Sequence, residues 1–227
     1  MLKIRHIAKL KNVSGNFTSP TVNNNKQVQQ MSKYIILISL FLTSTIFAQT
    51  KKNIIEETFD KIKNNTKVDK TDLTCYDLTQ KMYDEVLQNQ ISQFKKSTIE
   101  EIRNYQNNRK SKNTYVFSAL MFYQEVITKS AEQKTTKPEL QRDIINYLEK
   151  EFLEVYNKLP AIIYVYKVET LNLFDDKSEL KKYIDEGLKN YPNSIPLKYY
   201  SYKYLNELTY KEELMRINKI HWLVNIQ

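Results

Sequence analysis

The sequence predicts an all-α protein of stacked antiparallel helix pairs, either a solenoid or an irregular helical bundle. Three observations predict it. Apolar residues recur at three- and four-residue steps through most of the chain after residue 49. That stretch holds one glycine, Gly187, too few for the tight turns of sheets or the glycine loops of nucleotide-binding folds. Polar capping residues stand in front of successive apolar stripes.

Residues 1–30 contain Asn23-Asn24-Asn25 and Gln29-Gln30 and no acidic residue. They are expected to be an extension from an upstream start codon, with Met31 the true start. Residues 31–48 read as a signal peptide: Lys33 is the basic region, Tyr34–Phe47 the apolar core and Ala48 the small residue at the cut. The apolar run gives roughly 22 Å of helix, short of the ~30 Å hydrocarbon layer. The chain is therefore expected to be exported, periplasmic or extracellular. An uncleaved signal would instead tether it to a membrane.

Removing residues 1–49 takes away six Lys/Arg and no Asp/Glu, leaving 29 basic against 26 acidic residues, about +3 in place of +9. The basic pI therefore gives no support to a nucleic-acid partner. The sole cysteine, Cys75, rules out an intramolecular disulfide, so stability has to come from an apolar core.

Residues 49–134 form an N-terminal helical region. Ile55, Phe59 and Ile62 mark a short first helix. Leu73, Tyr76, Tyr83, Leu87, Ile91 and Phe94 mark a longer one after the Asp69–Asp72 cap region. Ser97 or Thr98 with Glu100 or Glu101 gives a capping box, starting a new helix (Ile99, Ile102, Tyr105) or continuing the last. Arg109–Asn113 is a link, and Thr114–Ile127 is a helix with a broad apolar face.

Residues 135–227 read as helical repeats. Thr136-Lys137-Pro138-Glu139 opens a helix carrying Leu140, Ile144, Leu148, Phe152, Val155 and Leu159. Ala161–Phe174 is β-branched and aromatic at Ile162–Tyr166, strand-like in isolation, but its length and neighbours favour helix. Asp176 and Glu179 cap the next stripe (Leu180, Ile184, Leu188). Ser194 opens another (Leu197, Tyr200, Tyr204, Leu208), and Thr209–Glu212 opens the last (Leu214, Ile217, His221, Val224).

Landmarks in this part return after about 35 residues, as Tyr164 does at Tyr199. The segment Leu180–Ser194, with Gly187 at a close helix crossing and Pro192 at the helix end, resembles the second helix and closing turn of a tetratricopeptide repeat. The resemblance implies a solenoid with a concave groove for a protein or peptide partner.

Chemistry-bearing residues are sparse. His221 stands on an apolar stripe and Cys75 has no local base, so neither nucleophilic catalysis nor a zinc site is expected. Asp175-Asp176, Glu56-Glu57, Glu100-Glu101 and Glu212-Glu213 lie near helix starts and read as dipole-complementing acids. Arg109-Lys110-Ser111-Lys112 reads as a solvated loop. Tyr164, Tyr199 and Tyr202 are the candidate groove residues, because Tyr199 and Tyr202 fall off the core stripe. The expectation is a non-enzymatic binding module with no cofactor and no metal. The alternatives are an envelope hydrolase with unlocated carboxylates and a purely structural bundle.

Overall fold

The computed structural model describes residues 51–89 and 94–217. The extension, the signal segment, Ile91, His221 and Val224 lie outside the described residues. Nine α-helices occur among them: α1 (Lys51–Asn64), α2 (Thr74–Met82), α3 (Lys96–Asn107), α4 (Thr114–Gln133), α5 (Pro138–Tyr156), α6 (Ala161–Leu173), α7 (Lys177–Asn190), α8 (Ile195–Leu205) and α9 (Leu208–Ile217). No strand occurs among the described residues. The stripe beginning at Leu73 is realised as α2 running into a π-helical turn, Tyr83–Gln88.

From α4 onward each helix packs on the next, and α6 also meets α8. The row therefore has two layers, with α4, α6 and α8 alternating with α5, α7 and α9. Helix α6 is the centre, and every residue from Ala161 to Val168 is buried. A strand-like sequence is helical here because a helix enclosed by neighbours has no need of a polar face.

Helix α1 closes one end of the row against α4 and α5. Phe59 stacks on Tyr147 at 5.2 Å and meets Phe122 edge-on at 5.8 Å. A chain so poor in glycine makes its links with other residues. Asn113, Asn157, Asp175 and Asn206 take left-handed conformations (φ 53–60°), which short polar side chains tolerate best. Lys134 does the same.

Gly187 sits at a crossing that needs it. A Cβ there would stand 2.7 Å from Leu197 Cδ1 and 3.1 Å from Tyr164 Cγ. Asp176 and Ser194 act as the predicted caps, accepting from Glu179 N (3.1 Å) and Leu197 N (3.2 Å). Two predicted capping boxes are not formed. Helix α5 starts at Pro138 behind Lys137, with no side-chain cap. Helix α3 is a separate helix capped from α2's π turn: buried Glu85 accepts from Thr98 Oγ1 (2.7 Å) and Lys95 N (3.1 Å). Most of the acid pairs also serve differently from expectation. Glu56 binds Lys150, Glu101 binds Lys81 and Glu213 binds Lys198, linking helices rather than facing a helix dipole.

Candidate functional site

The rod formed by α2 and its π turn runs across the amino-terminal ends of α4, α6 and α8, contacting all three. Helix starts expose backbone N–H groups without intrahelical partners, and the rod supplies acceptors. Gln80 Oε1 accepts from Ala161 N at 3.2 Å and Gln88 Oε1 from Ile195 N at 3.0 Å. Gln88 Nε2 donates to Asn193 O at 2.8 Å. Tyr76 shares a hydrogen bond with Tyr191 (2.8 Å), and the Tyr83 hydroxyl lies 2.6 Å from Ser194 Oγ. At the third start, Asn113 bonds the loop before α2 through Asp69 N (2.9 Å), Asp69 O (2.7 Å) and Asp72 O (3.2 Å).

The π turn fits this duty. In a regular helix, residues seven apart share a face and residues eight apart diverge by about 80°. A π turn accommodates one extra residue, which returns Gln88 to the face of Gln80.

This packing decides where the three candidate tyrosines lie. Tyr164 and Tyr199 are both only 5% exposed. Tyr164 fills the space above Gly187 and accepts from Asn190 Nδ2 at 3.0 Å. Tyr199 packs against Tyr200 at 5.7 Å. Tyr202 is half-buried, with Lys211 Nζ 5.4 Å from its ring centre. The structure does not bring the three together on an open groove. Cys75 is fully buried, and desolvation pushes its thiol up to about 12, so it is inert as a nucleophile.

A cleft lies on the rod's other side, between α2 and α3. Its volume is about 500 Å³, within the range of ligand sites. Leu78 and Tyr105 form a buried floor. One wall carries Asp72, Thr74, Asp77 and Lys81; the other carries Glu101, Asn104 and Asn108, with Lys110 and Ser111 from the following link. Lys81 Nζ holds both Glu101 oxygens (2.7 and 2.8 Å), so those charges cancel. What remains is acidic on the α2 side and basic on the link side.

The cleft is held from behind. Tyr105 OH donates to Lys112 O, Lys112 Nζ reaches Asp69 at 3.9 Å, and Asn113 N donates to Lys67 O at 2.7 Å. The basic link read as a plain solvated loop is in part a wall. Asn104 and Asn108 drew no attention in the sequence, although their four-residue spacing at the end of α3 was visible.

A smaller cavity of about 220 Å³ is lined by Asn172, Asp175, Lys177, Leu180, Lys203 and Tyr204. Two of these, Lys203 and Tyr204, interact with half-buried Glu169 of α6. Glu169 accepts a hydrogen bond from Tyr200. Burial raises its carboxyl to about 7 against the opposing pull of Tyr200 and Lys203. No sequence pattern marked this lone carboxylate. Among the described residues no cluster of three or more His, Cys, Asp or Glu is placed to hold a metal ion. No described helix is long and apolar enough to cross a membrane.

The chain matches no family model, no curated protein and no solved structure.

Proposed function

We propose that this chain is an exported, non-enzymatic helical-array module that binds a protein or peptide partner in the α2–α3 cleft. The observation that carries the reading is the cleft itself. Exposed amides and carboxylates surround a buried floor, and the walls are held in place by the Tyr105, Asn113 and Glu85 contacts. Preorganised polar groups are what a binding surface needs, because little side-chain or loop freedom is lost on association. The export half of the reading rests on Lys33, Tyr34–Phe47 and Ala48.

The test is an Asn104→Trp variant, which fills the cleft from an exposed position of α3. It is expected to keep the wild-type helical circular dichroism. It is also expected to lose, by about tenfold or more, the partner recovered with the wild-type chain from producing cells. Retention of the same partner would place binding elsewhere. The competing hydrolase reading draws on Glu169, whose carboxyl titrates near pH 7, a value suited to acid–base work. Turnover abolished in Glu169→Gln would favour it.

A further inference from the structure

We propose that the occupant of the α2–α3 cleft is an extended polypeptide segment carrying a lysine or arginine side chain. This rests on the binding reading above and gives the partner its chemistry.

Asn104 of α3 and Asn108, the residue that caps the helix's C-terminus, are four residues apart and both line the cleft. Four residues of helix rise about 6 Å, while two residues of extended chain span about 6.6 Å. Neighbouring side-chain amides can therefore meet alternate peptide groups along an extended segment. The hydrogen-bonding capacity agrees. The Asn104 carbonyl accepts from Asn108 N at 3.0 Å, while its side-chain amide makes no hydrogen bond among the described residues and offers both donor and acceptor, matching one N–H and one C=O. Asn108 Oδ1 accepts from Lys110 N at 2.9 Å, which leaves its NH₂ to donate to a partner carbonyl.

The charges in the cleft favour a cationic partner. With Lys81 and Glu101 tied to each other, Asp72, just ahead of α2, and Asp77 on it form an acidic wall opposite those amides. A cationic side chain lying against that wall is complementary. A phosphate group lying against the same wall is repelled by it. A docked helix is disfavoured because the apolar residues lining the cleft are Leu78 and Tyr105, fewer than the row of anchors that helix-in-groove binding uses.

The experiment titrates the isotope-labelled protein with two peptides and follows the side-chain amide signals by NMR. One is acetyl-Thr-Lys-Thr-Lys-Thr-amide and the other acetyl-Thr-Glu-Thr-Glu-Thr-amide. The lysine peptide is expected to shift the Asn104 and Asn108 signals. The glutamate peptide should bind at least about tenfold more weakly. Asp77→Asn should weaken the lysine peptide severalfold, and N-methylation of the lysine peptide's backbone should weaken it by a similar factor.

Equal binding of the two peptides, or shifts confined to another face, would overturn the inference. So would an absence of peptide binding. If in that last case Asn104→Trp still releases the partner from cells, the binding reading stands and only its chemistry fails.

Discussion

Replacing Lys63 by methionine lowers the stability of the folded chain by about 3 kcal/mol at neutral pH. Lys63 of α1 donates to Glu151 Oε2 of α5 at 2.8 Å and to Glu154 at 3.2 Å. Glu151 is 1% exposed, and among the described residues its other donor is Tyr115 OH at 2.7 Å. Its Oε1 has no hydrogen-bond partner among the described residues. Burial works against the Lys63 ammonium, but the hydrogen bond and charge of Glu151 outweigh it and hold the pKa above the ordinary lysine value.

Methionine keeps the bulk of the side chain and removes the charge. Glu151 is then a buried carboxylate without a counterion, the situation that makes breaking one half of a buried pair costly. Chemical denaturation followed by circular dichroism measures the loss. The double variant Lys63→Met/Glu151→Gln should recover most of it, because no charge is left behind. A single-variant loss under about 0.5 kcal/mol would mean that the pair is no more than a surface contact.

The second large effect is a pH dependence. Glu169 lies among Tyr123, Tyr166, Tyr200, Lys203 and Tyr204, and burial raises its carboxyl from 4.5 to about 7. The folded state therefore binds this proton more tightly than the unfolded chain does. Its contribution is fully present below pH 4.5, falls as pH rises from there to about 7, and is constant above.

With allowance for solvent around a half-buried group, the change is on the order of 2 kcal/mol. Glu169→Gln keeps an acceptor for Tyr200 and cannot titrate, so its stability profile should be flatter across that window. Identical profiles for the two proteins would show that Glu169 ionises in the folded state much as it does in water.

The helices were legible in the sequence because each depends on local spacing. Asp176 and Ser194 cap where they stand, and Gly187 sits at the close crossing where a small residue was expected. The position of the α2 rod was not legible. Gln80 and Gln88 look like ordinary surface residues, and their partners Ala161 and Ile195 are 81 and 107 residues away.

The tyrosine assignment shows the same limit. Tyr199 falls off the Leu197–Tyr200–Tyr204 stripe, yet it is buried because α8 is packed by α6, α7 and α9 together. A helix with several neighbours has no single buried stripe. The α2–α3 cleft depends on where Asn113 and Tyr105 pin the link, and those contacts join segments up to 44 residues apart.

Site-specific photocrosslinking tests most directly which surface binds. A photoreactive benzoylphenylalanine is placed at position 104 in one protein and at position 202 in another, and both are illuminated in the producing cells. Binding in the α2–α3 cleft gives a discrete adduct from position 104 and none from position 202. An adduct from position 202 alone would contradict it and return the site to the α8 surface.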